Sequence, residues 1–105
     1  MYPVGYNAYV IEIRKTAHFA KWIDGLKDIL GRARIQARIE RLSMGHPGDG
    51  KAVGKGVVEM RIDHGPGYRV YYIRHERSVI ILLAGGDKST QARDIKTALR
   101  LARNL

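Results

Sequence analysis

An unbroken apolar run, Val79 to Ala84, constrains this chain most. A run of that length is expected of a strand that is covered on both faces or central in a sheet. The residues before it supply its neighbours. Val57 to Asp63 alternates, with Val58, Met60 and Ile62 on one face and Glu59, Arg61 and Asp63 on the other. Gly65-Pro66-Gly67 is a turn, Tyr68 to Arg74 is the next strand, and His75 to Ser78 turns again. Connections this short predict an antiparallel meander of the three strands.

The first half is mostly helical in pattern. Tyr9 to Ile13 is rich in β-formers and reads as a first strand, and Thr16 offers an N-cap. Phe19, Trp22, Ile23, Leu26, Ile29 and Leu30 then recur on one stripe. Either this helix continues to Leu30, or Asp28 caps a second one. Ile35, Ile39 and Leu42 form the next apolar stripe, beside Arg34, Arg38 and Arg41, until Gly45 and Pro47 stop the helix. The two read as a helical hairpin. Gly45 to Gly56 is glycine-rich and polar and is expected to be a loop. Ser89 or Thr90 caps a last helix with Ala92, Ile95, Leu99 and Ala102 on its apolar face. The sum is an α+β fold in the order β-α-α-β-β-β-α: a single domain over residues 1–105, with a helical hairpin and a C-terminal helix packed on a twisted antiparallel sheet.

Charge narrows the partners. Lys and Arg number 19 against 10 Asp and Glu, a net charge of +9. So large a surplus on one small domain draws polyanions, and nucleic acid is the expected partner. The basic residues are spread along the chain, which argues against a membrane surface. Residues 1–13 lack the pattern of a signal peptide, no apolar stretch approaches the roughly 20 residues that span a bilayer, and there is no cysteine. A cytoplasmic protein is expected, without disulfides or thiolate metal sites.

Few motifs carry chemistry. Gly45-His46-Pro47-Gly48-Asp49-Gly50-Lys51-Ala52 approaches a phosphate-binding loop. It has Ala52 where the magnesium-contacting hydroxyl should stand, and it follows a helix instead of a strand. His18, His46, His64 and His75 form no pair at metal-ligand spacing, so no metal or other cofactor is expected. Arg61 and Arg69 fall on the same face if the hairpin pairs as predicted, and Lys88 emerges at the end of the apolar strand. Three cations around one face would hold a phosphate, although each could instead pair with Glu59, Asp63 or Asp87. The Arg34/Arg38/Arg41 stripe, with Arg32 nearby, is either a solvated helix face or an RNA-backbone contact. Tyr71 is placed near the basic face, where its ring could stack on a base.

The blocks Gly56 to Asp63, Gly65-Pro66-Gly67-Tyr68-Arg69-Val70-Tyr71-Tyr72 and Leu82 to Gln91, with Asp94-Ile95, resemble the addiction-module killer proteins, HigB-like members of the RelE/ParE toxin superfamily. Phe19, Trp22, Leu26 and Arg32 to Ile35 fit the same pattern. The resemblance implies a microbial ribonuclease fold and a type II toxin–antitoxin module, whose antitoxin is a small DNA-binding protein from an adjacent gene. It further implies a ribosome-dependent mRNA endoribonuclease that works without metal, by attack of a 2′-OH on the adjacent phosphate. Arg69 matches the arginine that such enzymes set on the scissile phosphate. Lys88 sits near a basic residue of theirs, and Arg61 approximates a strand lysine. Glu59 stands where another lysine is expected. Their C-terminal tyrosine has no counterpart, since residues 90–105 contain no Tyr. Glu59 and His64 are the candidates to take the 2′-OH proton. The alternative is the ParE branch, which has the same fold and inhibits DNA gyrase without catalysis. A plain nucleic-acid-binding module is a third class.

Overall fold

The computed structural model describes residues 11–105, so Tyr9 and Val10, which open the expected first strand, lie outside the described residues. The elements are β1 (Glu12–Lys15), α1 (Ala17–Asp24), α2 (Ile29–Ser43), β2 (Gly50–Gly54), β3 (Val57–Ile62), β4 (Tyr68–Glu76), β5 (Val79–Asp87) and α3 (Gln91–Arg103), with a 3-10 turn at Lys88–Thr90. The strands form one sheet in the order β1-β5-β4-β3-β2. The meander β3-β4-β5 is antiparallel as expected, and β1 runs parallel to β5.

One local expectation changes, and the open helix boundary resolves to its second alternative. The glycine-rich segment 45–56 is not all loop, because Gly50–Gly54 pairs antiparallel with β3 as an edge strand. Its side chains are mostly exposed, so backbone pairing alone makes it a strand and no apolar alternation announces it. In the helical half, Asp28 caps a second helix. Its carboxylate accepts the Gly31 N–H at 2.9 Å, and α1 stops at Asp24. Ile29 and Leu30 therefore leave the α1 stripe and stand 82% and 57% exposed. Thr16 caps α1 as expected, accepting from Phe19 N–H at 3.0 Å.

The apolar strand is buried along its length and covered on both faces. Phe19 and Ile23 of α1 and Ile35 and Leu42 of α2 pack with Met60, Ile62, Val70, Ile80 and Leu82 on one side. Ala98 of α3, with half-buried Ile95 and Leu99, packs against Val57, Tyr71, Val79, Ile81, Leu83 and Ala84 on the other. Ala92, expected on the apolar face of α3, is exposed, and Asp94 is buried instead. No described helix is long and apolar enough to cross a membrane.

Two bare positions let the layers close. Tyr71 pairs with Ala84 and Tyr72 with Leu82, so Leu83 is an extra residue, a β-bulge. The bulge sends Leu83 and Ala84 to the same face. Beyond it, Gly85 meets α1 and Gly86 meets α3. A Cβ on Gly85 would lie 2.2 Å from the Trp22 ring, and one on Gly86 would lie 1.8 Å from Asp94 Oδ2. Gly85→Ala should cost about 1–3 kcal/mol of stability by overpacking. Denaturant unfolding followed by fluorescence of Trp22, the single tryptophan, measures it directly. A variant within roughly 0.5 kcal/mol of the parent would show that α1 can shift to admit the methyl.

Candidate functional site

Register brings the sheet cations together. Arg61 on β3 pairs directly with Arg69 on β4, and Arg69 pairs with Gly86 on β5. All three positions belong to the α3 side of the sheet. Because Gly86 is bare, the first turn of α3 comes down beside Arg69, with Asp94 buried against the strand and bonded by the Thr90 hydroxyl. Asp87 caps the preceding 3-10 turn, accepting from Ser89 N–H at 2.8 Å. The bond from the Ser89 hydroxyl lowers the Asp87 pKa most, against burial; the backbone N–H groups of Ser89 and Thr90 and the Arg69 charge add to it. The turn leaves Lys88 exposed beside Gly67, where a Cβ would lie 3.5 Å from Lys88 Cβ and 3.1 Å from Arg69 Nη1. The root of Lys88 and the Arg69 guanidinium thus lie beside one bare glycine.

Under these cations lies Glu59, fully buried. Its carboxylate accepts from Arg61 Nε at 3.1 Å, Tyr71 Oη at 3.0 Å and Gln91 Nε2 at 2.9 Å, and faces Arg69 Nε at 3.8 Å. Burial raises the Glu59 pKa. The hydrogen bonds from Gln91, Arg61 and Tyr71, with the Arg69 charge, outweigh it and hold the carboxyl below its ordinary value. Tyr71 is displaced upward, by burial first and then by its bond to Glu59. Arg69 is largely enclosed, with 11% of its side chain exposed, and Nη1 donates to Gly67 O at 2.7 Å. The Arg61 side chain is 36% exposed.

Of the residues singled out in the sequence, Arg61, Arg69 and Glu59 come together, and the root of Lys88 lies beside Gly67 next to them. His64 does not. It lies at the other face of the sheet, stacked on Tyr68 and 3.8 Å from Asp28 Oδ2. Tyr68 also donates to that oxygen at 2.7 Å, and its pKa is pushed up to about 12 by burial and then by Asp28. Tyr71 is not beside solvent as expected. Its ring is buried under α3 and its hydroxyl is committed to Glu59, so no face is open to a base. Gln91 and Asp94 were missed as participants. The Gln91-x-x-Asp94 spacing on one helix turn at the end of the apolar strand was the available signal.

The α2 arginines lie on the opposite side. Arg34, Arg38 and Arg41 line a hollow with Ala37, Ile62 and Asp63, continuous through Arg38 and Arg41 with a second one lined by His46, Gly48 and Asp49. Arg38 has a structural duty. Its guanidinium donates to the carbonyls of Arg61, Pro47 and Asp49. Arg32 reaches Leu26 O at 3.3 Å, closing the turn after α1. Arg34 and Arg41 are exposed, with no ion-pair partner among the described residues. No group of three or more His, Cys, Asp or Glu side chains among the described residues could hold a metal ion.

Comparison with known proteins agrees with this architecture. A family model described as phage derived protein Gp49-like (DUF891) matches residues 21–105. A Haemophilus influenzae protein is 50% identical over 95 residues, covering 90% of this chain and 96% of that one. The free-state structure of a mutant of E. coli toxin RelE matches with a TM-score of 0.70, over 87% of this chain and 96% of that chain, at 15% identity. At that identity the likeness is one of fold.

The depressed Glu59 pKa has a consequence for stability. The unfolded chain holds the proton at a higher pH than the folded one, so the Glu59 contribution is complete above about pH 4.5 and is lost as pH falls through the folded value. Glu59→Gln should therefore flatten the loss of stability below about pH 4.5, while the contributions of Asp28 and Asp87, also depressed, remain. Urea midpoints at neutral pH and at about pH 3 measure the difference, and an acid limb of unchanged depth would remove Glu59 from the balance.

Proposed function

The chain belongs to the phage-derived Gp49-like family and has the RelE toxin fold, and on that premise we propose that it is the toxin of a toxin–antitoxin pair, acting as an mRNA endoribonuclease on the ribosome. The observation that carries this reading is the pairing of Arg61 with Arg69 over buried Glu59, with Lys88 rooted beside the glycine that Arg69 approaches. Such a constellation suits a phosphodiester under attack. In the reaction the 2′-oxygen bonds to the adjacent phosphorus and the bond from phosphorus to the 5′-oxygen breaks. The 2′-OH loses one proton and the leaving 5′-oxygen gains one, so no co-reactant is needed. Arg69 and Lys88 stabilise the negative charge that accumulates on the phosphorane, and Arg61 holds a neighbouring phosphate. No metal enters the scheme, because these cations fill its role. Arg34 and Arg41 offer a separate contact to RNA backbone on the other face. The partner is an antitoxin encoded beside the toxin gene.

One observation favours a second reading, inhibition of DNA gyrase without catalysis. Glu59 is buried and His64 lies across the sheet, so neither candidate proton acceptor stands exposed beside Arg69. A single induction experiment separates the two. Within minutes of expression, mRNA 5′ ends should show new cuts inside translated regions. Arg69→Ala should lower cutting about 10²–10³-fold while the variant stays folded. Growth arrest with intact mRNA and a DNA-damage response would move the target to gyrase.

A further inference from the structure

Arg61 and Arg69 face each other directly across β3 and β4. Like charges in that position repel, and long arginine side chains would ordinarily splay toward solvent. Here they do not, because Glu59 lies two residues before Arg61 on the same face, wholly enclosed. One carboxylate oxygen takes the Arg61 Nε–H, and the other takes Tyr71 and Gln91 and faces Arg69. A separation of 3.8 Å is an attraction between charges, not a hydrogen bond. Arg69 Nε is accordingly a buried side-chain polar atom left without a partner, the one such atom among the described residues. Its N–H is held near Glu59 but not consumed by it.

We propose that Glu59 is a positioning residue: fixed by Gln91 and Tyr71, its carboxylate holds the Arg61 and Arg69 guanidiniums side by side on one face, ready for a phosphodiester, and takes no proton from the substrate. This deepens the phosphodiester reading above and rests on it. The choice of donors supports it. Gln91 and Tyr71 are neutral, so they anchor the carboxylate without adding to the positive charge that it must balance. Gln91 opens α3, whose approach Gly86 permits, so the arginine pair is tied to helix and sheet alike. A general base needs to reach the substrate hydroxyl, and a carboxylate enclosed on every side does not.

A clamp and a base differ in what their removal does. Glu59→Gln keeps the shape and deletes the charge. The pair then becomes more cationic but less ordered, so affinity for RNA should hold or rise while turnover falls. Two readouts test this. The first is NMR of the arginine Nε–H groups in the whole chain, with inorganic phosphate as the probe. In the parent, the Arg61 Nε–H should exchange slowly and phosphate should shift Arg69. In Glu59→Gln, exchange at Arg61 should quicken about tenfold, and the shift of Arg69 at phosphate saturation should shrink although phosphate binds no more weakly. The second is cleavage on ribosomes programmed with a short mRNA, where kcat should drop about tenfold or more without a rise in KM. Gln91→Ala, at a half-buried position, should move both readouts in the same direction by less, which guards against a Glu59 variant that fails to fold.

Unchanged Arg61 exchange and phosphate response in both variants would overturn the proposal. So would a pH–rate profile that loses its acid limb in Glu59→Gln while the arginine signals stay as in the parent, because that is the behaviour of a proton acceptor. If the parent cleaves no RNA, the ribonuclease reading fails by itself, and the exchange and phosphate measurements still decide whether Glu59 positions the pair.

Discussion

The site depends on how β5 changes phase as it leaves the core. The bulge at Leu83 sets two consecutive residues on the α3 side, and the strand that follows presents Gly85 to α1 and Gly86 to α3. A bulge leaves a carbonyl outside the regular ladder, and here Leu83 O is taken by the Thr16 hydroxyl at 2.7 Å. Thr16 also caps α1, so one side chain ties the bulge to the start of the helix whose Trp22 covers Gly85. On the other face Gly86 admits Asp94, and the first turn of α3 settles against β4 beside Arg69. Side chains at these two positions would hold both helices away from the sheet.

The second constraint is electrostatic. Burying a carboxylate is costly unless its lone pairs and charge are met. Glu59 meets that demand with three hydrogen bonds and two guanidiniums, drawn from β3, β4 and α3. The same demand works in reverse on the arginines. Arg69 is mostly enclosed, and a guanidinium in such a place without a nearby anion would turn outward. Each charge is therefore tolerable because of the other. Their mutual requirement ties the cationic face to β3, β4 and α3 together.

The sequence revealed those parts of the fold that are governed by local pattern. Val79 to Ala84 reads as a strand because burial on both faces leaves no polar residue to break it, and the Gly65-Pro66-Gly67 turn sets the pairing that brings Arg61 opposite Arg69. β2 escaped notice because its residues contribute backbone and almost no burial. Ile29 and Leu30 suit the α1 stripe by spacing, yet the Asp28 cap restarts the helix and turns them out to solvent. Of the site, Arg61, Arg69, Lys88 and Glu59 were legible as neighbours. The burial of Tyr71 was not, since alternation sets a side chain on a face without telling whether a helix covers that face. The separation of His64 from Arg69 was hidden for a related reason: a turn residue can lean to either side of the sheet.

Net charge overstates what is free to bind. Arg38 belongs to the basic stripe of α2, but its guanidinium is committed to three carbonyls, one of them that of Arg61. The Arg61 N–H is in turn bonded to Asp49 O at 2.9 Å. The residue is thus held through both its N–H and its carbonyl, while Glu59 holds its side chain on the far face. A surface cation selects a phosphate geometry only when its backbone cannot yield, because a flexible arginine follows any anion and favours none. Arg38 contributes to the α3 side through the sheet without touching a ligand there. Arg34 and Arg41 carry no such bond among the described residues and stand exposed on the α2 side. Two cationic faces of unequal rigidity follow, one tied into sheet and helix by buried bonds and the other left open on the surface of α2.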